Sequence, residues 1–410
     1  MLTTLSTRTE TRLLRGGLGL LGLRVLDDTV LQPPPGVPVT DRPLAALVPL
    51  ALLALAAWAY PRPSGTARGA LTVLFGVLGV ATGLDAVYYT RELGLSGDDV
   101  TGWLALAASL GLIGLGGVTL WRTRRRTGRR VARRSVLAVA FAMTAFVVVL
   151  PIGVAYVQSH AARAVVPENT LGVPSEDVSF RSTDGLQLHG WYVPSRNGAA
   201  VIVFPGRKGP QAQARMLARR GYGVLLFDRR GEGRSEGQPN GWGWGGDRDV
   251  KGALAFLERR GIDRIGGLGL SVGGELMLEV AAESDTLDAV VSDGAGARTM
   301  GDELDADLRW HDRVGAAISY GLRDLALAIE TGERPPPRLD RLAGRIEQPA
   351  LLIAAPNSPT GERLNRRYAR SASAELWEIP ESGHIGGIRA RPAEYQRRVA
   401  GFFDRALLAR

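Results

Sequence analysis

Ser271 stands at the centre of Gly269-Leu270-Ser271-Val272-Gly273, which fits the pattern G-x-S-x-G. In that pattern a strand turns sharply into a helix and lifts a serine hydroxyl above the sheet, with glycine where a Cβ would crowd the turn. The chemistry is nucleophilic attack by the serine oxygen. A hydroxyl is a poor nucleophile at neutral pH, so it needs a base within about 2.6–3.2 Å to take its proton. The chain offers four histidines for that task, His160, His189, His311 and His384, and no cysteine. Disulfides, thiol catalysis and Cys-ligated metal are thereby excluded, and the redox compartment stays open. With 53 Gly and 19 Ser in 410 residues, the motif is expected by chance roughly 0.3 times, so its flanks have to carry the reading.

The flanks supply a strand and a helix. Arg264 to Leu270 is a short apolar run, and Gly274 to Ala282 places apolar residues at helical spacing among good helix formers. Further out, Asp177 to Ser182 and Leu186 to Val193 alternate about a Thr183-Asp184-Gly185 turn, an opening hairpin. Ala199 to Phe204, Gly223 to Phe227, Asp288 to Ser292, Ala350 to Ala354 and Glu375 to Ile379 read as strands. Gln211 to Arg220, Asp247 to Arg259 and Pro392 to Leu408 read as helices. Strands alternating with helices imply a mostly parallel sheet covered on both faces. Ligands of such sheets bind at the carboxyl ends of the strands, where Ser271 falls.

The first part of the chain differs in composition. Residues 1–157 carry a net charge of +8 and residues 158–410 only +1, so the overall +9 is no basic footprint for nucleic acid on the second part. Four apolar runs, 44–60, 69–89, 102–121 and 135–157, have the length needed to cross about 30 Å of hydrocarbon. Before them, residues 1–43 form a partly irregular segment with a Pro-rich break at Gln32 to Pro38. Leu13 to Leu26, interrupted by Arg15 and Arg24, reads as interfacial rather than spanning. Asp85 sits near the end of its run, within reach of the headgroups. Arg122 to Arg134 packs eight arginines into thirteen residues. We read it as a cytoplasmic loop obeying the positive-inside rule, which places the loop with Glu92, Asp98 and Asp99 outside. Everything after residue 157 then lies on the extracytoplasmic side of a cell membrane, behind a tether at 158–176.

The segments EDVSFRSTDGLQLHGWYVP, VIVFPG, GYGVLLFDRRGEGRSEG from Gly221, GLGLSVGG and PESGHIGG, in that order over about residues 173–408, resemble the α/β-hydrolase superfamily. The closest likeness is to its membrane-tethered, Bem46-like branch. The resemblance implies an α/β-hydrolase domain at 177–410, a mostly parallel sheet with a short helical cap inserted at about 295–348. It leaves the four-helix region unexplained.

The resemblance also implies roles. His384, in Gly383-His384-Ile385-Gly386 after the last strand, is where this family places its base; His311 falls in the cap, His189 in the hairpin and His160 in the tether. After Ala350 to Ala354 the family usually shows H-G-x-x-D, but here the chain has Ala354-Ala355-Pro356-Asn357-Ser358, with serine at the expected acid. Glu362, four residues on, is the first candidate replacement, Asp293 after the preceding strand is the second, and a Ser-His dyad without an acid is the third. Either carboxylate keeps the order Ser, acid, His. The backbone N–H groups of Val272 and Arg207 are the expected oxyanion donors, and Arg207 and Lys208 read equally well as charges that attract an anionic substrate and as exposed loop charges. Asp228 to Ser235 is a Gly-rich loop without G-K-[ST], read as scaffold, and Trp242 and Trp244 are read as packing or interfacial residues ahead of an aromatic pocket wall.

These expectations describe a serine hydrolase for an ester, thioester or amide, carried by a small molecule or a lipid and working without metal or cofactor. The missing aspartate keeps a second class open, a catalytically weak binding or sensing module, and the same residues would support acyl transfer. Nothing in the sequence bears on oligomeric state.

Overall fold

The computed structural model describes residues 6–31, 42–95, 99–123, 137, 140, 144–304, 306, 308–357 and 362–409. Gln32 to Pro38, Asp98, Ser358, nearly all of the Arg122 to Arg134 segment and part of the fourth apolar run lie outside them, as does the side chain of Asp85. The chain divides into two compact units, Met1–Ala162 with Ile329–Gly332, and Arg163–Ala328 with Glu333–Arg410.

The first unit is helical. Gly65–Leu93 and Val100–Arg122 form a tight antiparallel pair. The tightness is written in glycine: a Cβ on Gly76 would lie 2.8 Å from the Ser109 carbonyl oxygen, and one on Gly116 would lie 2.7 Å from that of Gly69. Small residues that let backbones approach this closely are how apolar helices associate without a hydrophobic drive. Among the described residues two helices, Gly65–Leu84 and Val100–Arg122, are long and apolar enough to cross a membrane, while Pro49–Ala59 and Val147–Ser159 are apolar but shorter.

The described part of the N-terminal segment is helical, while its Pro-rich break lies outside the described residues. Thr7–Leu26 is a 20-residue helix capped by Ser6, with Leu14, Leu18, Leu21 and Val25 buried. Two of its charges, Glu10 and Arg24, are buried with partners, while Arg15 is exposed. Glu10 lies 3.5 Å from Arg68 and 3.4 Å from Arg122, and Arg24 lies 2.9 Å from Asp28 and donates to Thr101 Oγ1. Pairing of this kind offsets part of the desolvation penalty that an isolated buried charge would carry.

The second unit holds one eight-stranded sheet: β1 Glu176–Arg181, β2 Gln187–Val193, β3 Ala200–Phe204, β4 Gly223–Phe227, β5 Ile265–Leu270, β6 Ala289–Asp293, β7 Ala350–Ala354 and β8 Glu375–Glu378. Their order is β1-β2-β4-β3-β5-β6-β7-β8. The pairs involving β2 run antiparallel and all those from β3 to β8 run parallel. β3 to β7 are buried along their whole length, as strands covered on both faces must be. One core layer sets Phe180, Phe204, Phe227 and Leu276 against one face; the other sets Trp191, Leu217, Tyr395 and Phe403 against the opposite face. Between β6 and β7 the chain leaves the sheet to form helices Met300–Glu303, Trp310–Thr331 and Leu339–Ala343.

Candidate active site

β5 delivers Ser271 to the carboxyl edge of the sheet, and helix Val272–Ala281 begins one residue later. Ser271 itself has φ 53° and ψ −124°, a left-handed conformation that non-glycine residues rarely hold. The turn closes only because its neighbours lack side chains: a Cβ on Gly269 would collide with the Gly273 carbonyl, and one on Gly273 would lie 2.5 Å from the Phe204 carbonyl oxygen. Main-chain bonds fix the strained residue, since the Ser271 N–H donates to the Asp293 carbonyl at 2.8 Å and the Ser271 carbonyl accepts from Gly274 N–H at 2.8 Å.

His384 follows β8 on a loop whose next residue, Ile385, also has positive φ, at 48°. Its Nε2 lies 2.9 Å from Ser271 Oγ and its Nδ1 lies 2.6 Å from Glu362 Oε1. With Nδ1–H donating to the carboxylate, Nε2 is left as the acceptor facing the serine hydroxyl, the tautomer a general base requires. Gly294 allows this approach, because a Cβ there would stand 3.2 Å from His384 Cε1 and 2.8 Å from Ile385 Cγ2. Glu362 is 1% exposed, and its second oxygen accepts the N–H of Ala355 at the end of β7. Asn365 braces the same turn, donating to the carbonyls of Glu362 at 2.9 Å and Ala295 at 2.7 Å.

Of the two carboxylates considered, the structure therefore brings Glu362 to His384 and turns Asp293 elsewhere. Asp293 Oδ2 accepts the Tyr395 hydroxyl at 2.8 Å, and both side chains are buried. Burial pushes the Asp293 carboxyl up to about 7; the charge of Glu362 adds to the rise, while the Tyr395 bond and His384 oppose it. The contribution of Asp293 to the site is its main-chain carbonyl, which holds Ser271. No spacing rule in the sequence reveals Tyr395 or Asn365 as the residues that steer the two carboxyl-bearing loops.

Val272 is the first residue of its helix, directly after Ser271, so its N–H is one of those left without an intrahelical acceptor. Arg207 does not fill the expected second place. Its N–H donates to Asp228 Oδ1 at 2.9 Å, and its Nε and Nη2 hold Asp228 Oδ2 at 2.9 and 2.5 Å. The whole side chain is buried beside Trp191. A single carboxylate at the end of β4 thus takes up both the backbone donor and the guanidinium, and Arg207 is available neither to an oxyanion nor to an anionic substrate.

The remaining histidines are apart from this constellation. His160 stacks on Tyr156 with ring centroids 4.1 Å apart, and His311 is exposed beside Asp312. His189 sits in β2, where burial and the nearby Arg207 and Arg234 hold its imidazole below the ordinary value. The Gly-rich loop is scaffold: Arg230 pairs with Asp249 at 2.7 Å and Asp184 at 3.0 Å. Trp244 is buried and donates to the Arg298 carbonyl, and Trp242 packs on the Arg323 guanidinium.

Residues 199–317 match the family model of the alpha/beta hydrolase fold. The chain is similar to the uncharacterized protein YfhR of Salmonella typhi, 28% identical over 267 residues, which are 60% of this chain and 88% of that protein. It is 31% identical over 124 residues to YfhR of Escherichia coli K12, 27% of this chain and 43% of the other. A polyketide transferase, grgF of Penicillium sp, is 40% identical over 73 residues, 16% of this chain and 25% of that protein. The chain thus spans less than half the length of the latter two proteins. Among solved structures, the esterase Pf2001 of Pyrococcus furiosus aligns with 21% identity and a TM-score of 0.48, over 60% of this chain and 97% of that one.

Proposed function

We infer that this chain, which belongs to the α/β-hydrolase superfamily, is a membrane-anchored serine hydrolase of its Bem46-like, membrane-tethered branch. The observation that carries the reading is the hydrogen-bonded series Ser271 Oγ, His384 Nε2, His384 Nδ1, Glu362 Oε1, held at 2.9 and 2.6 Å. In this reading Ser271 Oγ attacks the carbonyl carbon of an ester, thioester or amide while its proton passes to His384 Nε2. The N–H of Val272 faces the oxygen that gains charge. Collapse of the tetrahedral intermediate expels the leaving group, which takes the proton from Nε2, and leaves an acyl-Ser271. Water, deprotonated by the same nitrogen, then attacks the acyl carbon and releases the acid. Glu362 keeps Nδ1 protonated and stabilises the imidazolium without itself taking the proton.

Membrane anchoring rests on the apolar helices and on the charges around them. Arg68 and Arg122 both reach Glu10, so they stand at one end of the helical unit, and the arginine-rich stretch of the sequence begins at Arg122. By the positive-inside rule this end is cytoplasmic, and the catalytic unit is extracytoplasmic.

A second reading, acyl transfer to an acceptor other than water, is favoured by the polyketide transferase among the similar proteins. The same residues would serve it. Fluorophosphonate labelling of the full-length protein tests the common acyl-serine step, and product analysis with added acceptor alcohols separates transfer from hydrolysis.

A further inference from the structure

Helix Trp310–Thr331 lies in the insertion that starts just after Gly294, the residue against His384. Its inner face is settled by Arg323, Asp324 and Leu327, all buried. Arg323 donates to Asp324 at 2.6 Å and to the Arg298 carbonyl at 3.1 Å, with its guanidinium over the rings of Trp242 and Tyr320. The opposite side is apolar as well. At about 100° per residue, Trp310, Val314, Ile318 and Leu325 fall within an arc of about 80°. They are 78%, 53%, 47% and 59% exposed. Gly321 and Ala328 fall on the same arc, and the titratable group at its edge is His311. A helix that serves only as a cap has no use for a second apolar face turned to water.

We propose that this face lies on the surface of the lipid bilayer, with Trp310, Val314, Ile318 and Leu325 at the boundary of headgroups and acyl chains, and that the catalytic site takes acyl groups carried by membrane lipids. The substrate half of this statement rests on the serine hydrolase reading above. Three observations favour lipid as the occupant. Among the described residues two helices are long and apolar enough to span a bilayer, and the chain passes from the end of the apolar helix Leu150–Ser159 to Arg163, which already donates to the carbonyls of Ser235 and Gly237, in four residues. Four residues reach about 13 Å. Next, Arg309 and Arg313 are exposed at the start of the helix, where the macrodipole disfavours cations and a phosphate headgroup would hold them. Finally, a tryptophan at the end of an apolar stripe suits the interfacial layer.

The chain has no native cysteine, so single labels can be placed at will. Val314→Cys, Ile318→Cys, Leu325→Cys and, on another face, Asp312→Cys are spin-labelled in the full-length protein in phosphatidylcholine–phosphatidylglycerol nanodiscs. Collision with oxygen, which concentrates in lipid, is compared with collision with a water-soluble nickel chelate. The proposal predicts oxygen-dominated collision at 314, 318 and 325 and chelate-dominated collision at 312. Chelate access at the first three equal to that at 312 overturns it, and so does shielding from both reagents, which means a second protein copy covers the face. For the substrate, Val314→Asp/Ile318→Asp should reduce turnover of a long-chain diacylglycerol in the nanodisc at least about tenfold more than turnover of p-nitrophenyl acetate; equal losses overturn the lipid-substrate claim. If the parent neither labels with fluorophosphonate nor cleaves p-nitrophenyl acetate, the hydrolase reading fails, while the collision data still decide the surface.

Discussion

Ser271 and His384 are 113 positions apart in the chain, yet Oγ and Nε2 stand 2.9 Å from each other because β5 and the loop after β8 end at the same edge of the sheet. Loss of either side chain removes a group that acts only together with the other. Ser271→Ala and His384→Ala should each lower the turnover of p-nitrophenyl esters by at least about 10³-fold, and together by no more than the worse of the two. Additive losses in the double variant would mean that the two residues do not share a step.

The carboxylates separate by geometry. Glu362→Gln leaves His384 Nδ1 facing an amide and should cost roughly 10²–10⁴-fold in kcat. Asp293→Asn keeps the main-chain carbonyl that holds Ser271 and should cost less than about tenfold. Steady-state kinetics of the two variants side by side decide the assignment, and a reversed order would move the acid to Asp293.

Much of this site was legible in the chain, and the parts that were not share a cause. The strands and the elbow follow from local pattern: five buried residues in a row at β3, β4 and β7, and glycines where a Cβ meets backbone. Glu362 was reachable from the sequence as the nearest carboxylate after β7. What local pattern hides is the use of a donor by a distant acceptor. Arg207 has the chain position of an oxyanion donor, but Asp228, 21 residues on, captures its N–H. Likewise Arg24 makes Leu13 to Leu26 look unsuited to a partly buried helix until Asp28 and Thr101 are found beside it.

Asp228 also makes a stability prediction. Arg207 is 1% exposed, and removing one partner of a buried ion pair typically costs about 3–5 kcal/mol because the other charge is left uncompensated. Asp228→Ala should lower the melting temperature of the detergent-solubilised protein by many degrees. A variant that melts with the parent would show that the pair is not buried in solution.

The raised Asp293 carboxyl gives a pH dependence. Its ordinary value is 3.8 and its folded value about 7, so between those limits the folded protein keeps a proton that the unfolded chain has released. Stability from this group is fully present below pH 3.8 and is lost as pH rises through about 7. From pH 5 to 8 the parent's melting temperature should therefore fall relative to that of Asp293→Asn, as read by scanning fluorimetry. Parallel pH profiles would place the group outside this window.

The glycines of the elbow make a steric prediction with an internal control. Gly269→Ala would drive a methyl into the Gly273 carbonyl, whereas a Cβ on Gly383, beside His384, meets nothing within 4 Å. The first substitution should abolish activity and soluble expression, and the second should leave both near the parent. Equal tolerance would argue against a close turn at Ser271.

The most direct test of the account is fluorophosphonate labelling of the full-length protein in detergent, followed by peptide mass spectrometry. The account predicts one phosphonylated serine, Ser271, with labelling lost in Ser271→Ala and strongly slowed in His384→Ala. A folded parent that takes no label, or a Ser271→Ala variant that labels as the parent does, would contradict it.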